Sequence, residues 1–283
     1  MIDKEKDSIM GDINTIKLDG LDKSVHIGTS SVIGRRNEQQ DAIKSDDFYL
    51  YAENRKIISV LCDGMGGLTG GKMASALCSS IVYNTFHSNI EFPSIPEFYK
   101  AVICRADQEV NMMELNEDNQ ALGAGTTLVS VVIDDNLLYW ASVGDSRIYI
   151  IRGNDILCVT KDHNYLMLLN EKVKRGEITQ EEANSNPKKE ALISYIGIGG
   201  IQYIDMNGRG VNLFDGDYIV LCSDGLYRSL SEEEIKRVVS NFGRETQQAA
   251  EALTSLALSK NLKNQDNTSV VVIGYQDSGS YNI

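Results

Sequence analysis

Proline, histidine and tryptophan are scarce in this chain: 283 residues hold three prolines, three histidines and one tryptophan. So little proline, with a single tryptophan, fits a globular protein. The few histidines, and five cysteines without any CxxC spacing, give no basis for a zinc site. Cys62, Cys78, Cys104, Cys158 and Cys222 lie mostly in apolar runs and are expected to be buried thiols. No apolar run approaches the ~18 residues that suggest a membrane span. The opening MIDKEKDSIM is charged and unlike a secretion signal, so a soluble, cytoplasmic protein without a membrane partner is expected. Positive charge is also in deficit: 27 Lys and Arg face 40 Asp and Glu, a net charge of −13. Proteins that track phosphate backbones need clustered bases, so no nucleic-acid partner is expected.

What is present is a globular pattern, 42% hydrophobic. β-Branched runs predict strands at Val25–Ser31, Phe48–Glu53, Lys56–Cys62, Thr127–Ile133, Leu137–Val143, Arg147–Arg152, Tyr218–Cys222 and Ser269–Tyr275. The short turns at 134–136 and 144–146 suggest antiparallel hairpins. Helical spacing joins Ala74, Leu77, Cys78, Ile81 and Val82, then Phe98, Val102, Ala106, Val110 and Met113. A capping box at Ser231 precedes Ile235, Val238, Val239 and Phe242, with Gly243 as the stop, and Ala249, Leu253, Leu256 and Ala257 line a further helix. Helix pairs following groups of strands predict an α+β fold of antiparallel sheets covered by helices. Residues 1–24 and 276–283 are expected to be tails around one domain over 25–275, with a flap at about 164–200 that includes GIGG at 197–200.

Two apolar runs, VLCDGMGG at 60–67 and VLCSDG at 220–225, end in an Asp-Gly pair. A P-loop is one reading, because Gly66, Gly71 and Lys72 satisfy G-x-x-x-x-G-K. The next residue, however, is Met73 where a magnesium-binding hydroxyl is required. The glycines then read as a flexible loop beside Asp63. Asp41, Asp63, Asp145, Asp224 and Asp266 all sit near ends of apolar runs. Singly, an Asp beside Gly or Asn is an ordinary turn residue; together these five form an all-oxygen donor set suited to Mg²⁺ or Mn²⁺.

The motifs GRRNEQQDA (34–42), VLCDGMGG (60–67), GTTL (125–128), VGDSRIY (143–149), TKDHN (160–164), LCSDG (221–225) and QDNTSVVV (265–272) resemble, in order, those of the metal-dependent PP2C-type (PPM) serine/threonine protein phosphatases. The resemblance covers about residues 25–275. It implies a β-sandwich of two packed antiparallel sheets flanked by helix pairs, with a binuclear Mn²⁺ or Mg²⁺ centre at one end. It further implies hydrolysis of phosphoserine or phosphothreonine by direct attack of a hydroxide bridging the two cations, on substrates of a serine/threonine kinase. By position, Asp63 is similar to the bridging ligand and Gly64 supplies a carbonyl. Asp224 and Asp266 complete the first metal's shell, and Asp41 matches an outer-shell acid. Asp145 resembles the ligand of a third, weaker metal shared with Asp224. Arg36 looks like the arginine that binds the substrate phosphate, its planar donors matching two oxygens; Arg35 is the weaker candidate. By the same resemblance His163 belongs to the scaffold, and Lys188 with Lys189 reads as a solvated pair. A catalytically weak, phosphopeptide-binding version of the fold is the alternative.

Two residues depart from the family pattern. Met65 stands where animal-type members carry a histidine proposed as a general acid, and Gln40 stands where many relatives have Glu before the acid matching Asp41. An amide offers oxygen without charge. Gln40→Glu is therefore expected to lower the Mn²⁺ concentration at half activity about fivefold, with little change at saturation. Superimposed metal titrations of the two proteins would place Gln40 away from the centre.

Overall fold

The structure, a computed structural model, describes residues 23–47, 56–66, 70–88, 90–113 and 123–277. The expected strand at Phe48–Glu53 and nearly all of the expected tails lie outside these residues. Strands β1 (Lys23–Val32), β2 (Asp41–Ser45), β3 (Lys56–Met65), β4 (Gly125–Thr126), β5 (Leu128–Asp134) and β6 (Leu137–Val143) are followed by β7 (Arg147–Arg152), β8 (Asp155–Cys158), β9 (Asp205–Met206), β10 (Val211–Asn212), β11 (Tyr218–Cys222) and β12 (Thr268–Asp277). The helices are α1 (Gly70–Phe86), α2 (Ile95–Met112), α3 (Tyr165–Lys174), α4 (Gln180–Ser185), α5 (Asp224–Tyr227), α6 (Glu232–Phe242) and α7 (Thr246–Ser259).

Among the described residues the strands form two sheets, one ordered β1-β12-β11-β7-β8 and one built on β10-β6-β5-β3-β2. Every pairing within them is antiparallel. The period-2 alternation of a strand explains the layering. In β3, Ile57 and Leu61 face the other sheet, while Ile58, Val60 and Cys62 face α1 and α2. In β12, Val271, Ile273 and Tyr275 point between the sheets, and Val270 and Val272 meet α6 and α7. Both faces of each central strand are thus covered, which is why these runs read as nearly continuous apolar sequence. Burial of each such side chain is worth about 1.5–3 kcal/mol. The result is a four-layer α-β-β-α sandwich.

Local signals set the helix ends. Ser231 accepts from the Glu234 amide while Glu234 reaches back to the Ser231 amide, the expected capping box, and Gly243 closes α6 at φ 55°. Pro at the start of α2 and the Ser94 side chain capping Glu97 do the same there. α1 begins at Gly70, so Gly71 is helical and not part of a flexible loop. Its purpose is packing: a Cβ on Gly64 would lie 2.1 Å from the Gly71 carbonyl oxygen. This close approach of helix to strand accounts for the glycines without any phosphate. A P-loop is further opposed by the antiparallel neighbours of β3.

The turn at Gly144-Asp145-Ser146 is not a hairpin. β6 belongs to one sheet and β7 to the other, so the turn steps across the sandwich, with Gly144 at φ 103° and packed on Thr127. Both a hairpin and a crossing require a tight glycine turn, and local sequence does not distinguish them. Cys104 is exposed, contrary to the buried thiol expected, because it lies beside the face of α2 that buries Val102, Ile103 and Ala106.

Residues 164–200 hold α3, α4 and a glycine loop that is fastened from α2. The Asp107 carboxylate accepts from the amides of Gly197 (2.8 Å), Gly199 (3.2 Å) and Gly200 (2.8 Å), and Asn111 Nδ2 donates to the Gly197 carbonyl. Asp107→Ala would strand the buried Gly197 amide and remove the acceptor of the Gly199 and Gly200 amides. It is expected to lower stability by about 3 kcal/mol, read as a lower denaturant midpoint at unchanged slope; a midpoint equal to wild type would show the loop held by other contacts.

Candidate metal centre

Strand register gathers the five acids at one rim. In the first sheet Cys222 pairs with both Arg147 and Val270. The segments just beyond those pairs carry Asp145, Asp224 and Asp266, which therefore emerge together. In the second sheet Asp41 and Asp63 are direct cross-strand partners. β3 runs two residues past Asp63, through Gly64 and Met65 paired with Thr126 and Gly125, so Asp63 is not the strand's last residue.

Hydrogen-bonded clamps hold Asp63, Asp41 and the segments that carry Asp145 and Arg36. The Asp63 amide donates to Thr127 Oγ1 (3.0 Å), and its carbonyl accepts from the Thr127 amide and Thr126 Oγ1 (both 2.9 Å). Asp41 Oδ2 accepts from Ser223 Oγ at 2.9 Å. Asn267 fastens the Arg36 loop: its Nδ2 donates to the carbonyls of Ile33 and Glu38, and its Oδ1 accepts from the Gln40 amide. The Gln40 carbonyl accepts from the Gly64 amide and from Ser75 Oγ. His163 Nδ1 accepts from the Gly144 amide at 3.2 Å, and the His163 amide donates to the Gly144 carbonyl, pinning the turn before Asp145. Burial also holds His163 below its ordinary pKa, consistent with a neutral ring that accepts at Nδ1.

The two neighbouring arginines separate. Arg35 Nη2 donates to Asn261 Oδ1, away from the acids, whereas Arg36 Nη2 meets Asp266 Oδ2 at 2.5 Å. That hydrogen bond first, then the charges of Asp266, Asp224 and Asp63, raises the Arg36 pKa against a lowering from burial. Its guanidinium remains more than half exposed at the mouth of the cluster. Asp145 and Asp224 are buried, and Asp63 is partly open at the mouth yet ringed by protein. Burial is the main cause that pushes Asp41 up to about 6 and Asp224 up to about 7. Asp145 is raised as well, and Asp63 is raised strongly, by burial and then by the charges of Asp41, Asp224, Asp145 and Asp266.

Among the described residues no three His, Cys, Asp or Glu side chains converge tightly enough to hold a metal ion as they stand. Asp266 is turned to Arg36, and Asp224 to Arg228, whose Nε lies 3.1 Å from Asp224 Oδ2. The donor chemistry nonetheless fits a hard cation. Asp41 Oδ1 and Asp224 Oδ1 are buried without any hydrogen-bond partner, and an ion bound there would satisfy both. Sequence reading did not single out Arg228, Tyr227, Asn267, Ser223 or Thr127. Only Arg228 left a usable signal, standing four residues after Asp224 at the start of a helical turn.

The fold and site together define an α-β-β-α sandwich with an acidic, cation-seeking centre on its rim. A family model described as protein phosphatase 2C matches residues 33–265. The protein phosphatase PhpP of Streptococcus pneumoniae is 30% identical over 245 residues, spanning 86% of this chain and 94% of its own length. The solved serine/threonine phosphatase of S. agalactiae superposes with a TM-score of 0.75 at 29% identity, over 88% of this chain and 99% of that one. The catalytic domain of the phosphatase PstP, solved with two manganese ions, superposes with a TM-score of 0.69 at 25% identity, over 90% and 100%. The chain belongs to the protein phosphatase 2C family.

The raised carboxyls take up protons more readily in the folded than in the unfolded chain. Without metal, stability should therefore fall as pH rises from about 4, where unfolded aspartates ionise, through about 7, the folded value of Asp224. In EDTA the unfolding temperature is expected to rise on acidification from about pH 7.5 to about 5.5. With Mn²⁺ present the slope should reverse, because protons then displace a stabilising ion. A falling unfolding temperature in EDTA over that range would contradict the raised values.

Proposed function

We infer that the chain is a metal-dependent protein serine/threonine phosphatase, a phosphoric monoester hydrolase acting on phosphoserine and phosphothreonine in proteins. The observation that carries this is the convergence of five aspartates from separate segments on one rim, with Arg36 at its mouth. The family membership supports it, as do the names of the relatives and the manganese bound to PstP. The donors that would hold Mn²⁺ or Mg²⁺ are Asp41, Asp63, Asp224 and Asp266, with the Gly64 carbonyl. Such ions supply Lewis acidity toward the phosphoryl group and make water easier to ionise.

The chain's own residues do the positioning. Arg36 is anchored on Asp266 and free on its exposed side, so two of its N–H groups can face phosphoryl oxygens and offset their charge. The Thr126 and Thr127 clamps fix the Asp63 backbone, and Asn267 keeps the Arg36 loop in register with Asp41. No histidine reaches the centre, and Met65 occupies the end of β3, so proton delivery to the leaving alkoxide falls to water. No observation favours a phosphopeptide-binding role without turnover. The substrates are proposed to be proteins phosphorylated by a serine/threonine kinase. No helix among the described residues is long and apolar enough to cross a membrane.

Phosphothreonine- and phosphoserine-peptide hydrolysis should appear with Mn²⁺ or Mg²⁺ and vanish in EDTA. Asp63→Asn, Asp224→Asn and Asp266→Asn should each lower kcat/KM by about 100-fold or more. Arg36→Ala should raise KM more than it lowers kcat, as expected for ground-state phosphate binding. Phosphate release that persists in EDTA, or an Asp63→Asn protein as active as wild type, would overturn this reading.

A further inference from the structure

Asp145 and Asp224 already share a cation, and it belongs to the chain. Arg228 is the C-cap of α5, one turn after Asp224, so its side chain folds back over that carboxylate. Its Nε lies 3.1 Å from Asp224 Oδ2, its Nη2 3.7 Å from Asp145 Oδ2, and its Nη1 3.4 Å from Glu190 Oε2. Tyr227 completes the arrangement by donating its hydroxyl to Asp145 Oδ2 at 3.3 Å. The Tyr227 ring is itself held under the Arg147 guanidinium, 3.7 Å from its centroid, and Arg147 grips Asp162 with two hydrogen bonds.

We propose that Arg228 is a fixed counter-cation occupying the place between Asp145 and Asp224 that the family resemblance assigns to a third metal ion, so that the loaded protein holds two divalent cations. The inference rests on the metal-centre reading above. A guanidinium and a divalent ion compete for the same oxygens and repel each other. Arg36 meets Asp266 alone and is more than half exposed, so it can yield that oxygen to an ion, whereas Arg228 spans two carboxylates that are nearly sealed from screening water. Arg228 does not deprotonate and cannot diffuse away, so it neutralises these acids at any metal concentration. The two oxygens of Asp224 then divide their work: Oδ2 faces Arg228, while Oδ1, buried and without a hydrogen-bond partner, is left for the main centre. Glu190 is largely exposed and adds little attraction by itself. It does place the segment after α4 on the far side of the same guanidinium. Arg228 is thus a positioning residue, acting on substrate only through the acids it holds.

The test is a metal count on the full chain, stripped with EDTA and dialysed to equilibrium against Mn²⁺, with bound metal measured by atomic emission and free Mn²⁺ by electron paramagnetic resonance. Wild type is expected to hold two ions per chain, and Arg228→Ala to gain a third, bound at least about tenfold more tightly than any third ion in wild type. Arg228→Lys, which keeps the charge, should stay at two, and adding Asp145→Asn to Arg228→Ala should abolish the gain. If Arg228→Ala does not fold, as judged by its unfolding transition, Arg228→Gln serves in its place, removing charge while retaining bulk. Three ions in wild type, or the same number in wild type and the neutral variant, would overturn the inference while leaving the metal centre standing. No Mn²⁺ on either protein would overturn the metal-centre reading and this inference with it.

Discussion

The mutual repulsion of five carboxylates crowded at one rim is the constraint around which this molecule is organised. Two like charges about 4 Å apart at an effective dielectric near 20 repel by about 4 kcal/mol, and here two of the acids, Asp145 and Asp224, are buried besides. Burial first, and after it the neighbouring acids, raise the pKa values of Asp63, Asp224 and Asp41, while Asp145 is raised by burial and then by Asp162. The crowding is visible also in the two arginines drawn onto the cluster from opposite sides, Arg36 to Asp266 and Arg228 to Asp224 and Asp145. A site of this kind is unstable alone and needs a scaffold whose stability comes from elsewhere. Three apolar cores, one between the sheets and one under each helix pair, supply it.

The scaffold also converts repulsion into geometry. Antiparallel register brings strand ends from both sheets to the same level, and the Gly144 turn, stepping between the sheets, carries Asp145 into the gap. Small hydrogen-bonded clamps then remove the remaining freedom: Thr126 and Thr127 on Asp63, Ser223 on Asp41, Asn267 on the Arg36 loop, His163 on Gly144. Each satisfies backbone or hydroxyl groups that would otherwise be buried without partners. The acids therefore cannot relieve their repulsion by moving apart, and cations must come to them. A divalent ion is the mobile answer to that demand, and Arg228 the permanent one.

Much of this was legible in the linear pattern because the relevant signals were local. Leu137–Val143, Arg147–Arg152 and Tyr218–Cys222 read correctly as strands from β-branched runs, and Ser231 with Glu234 announced α6. Strands β2, β4, β8, β9 and β10 were not legible. They are short, polar or half-covered, and exist because a neighbouring strand offers them hydrogen bonds. Asp63, Asp224 and Asp266 could be named from the sequence as Asp before Gly or Asn beside an apolar run, a local pattern, while Asp41 and Asp145 stood out through the order of the motifs that carried the family resemblance.

What the sequence by itself determined, then, was the set of chemical groups and the elements bearing them: the acids, the arginine pair, the alternating strands and the capped helices. All of these follow from side-chain type and spacing within a few residues. Only the tertiary structure decided that β6 and β7 lie in different sheets, that Arg35 turns to Asn261 while Arg36 turns to Asp266, and that Asp107 holds the loop at Gly197–Gly200. It also decided that Glu190, 38 positions before Arg228, meets the guanidinium that holds Asp145 and Asp224. These are contacts between distant segments. Their free energy depends on register, burial and the charges nearby, and none of those exists until the two sheets have closed on one another.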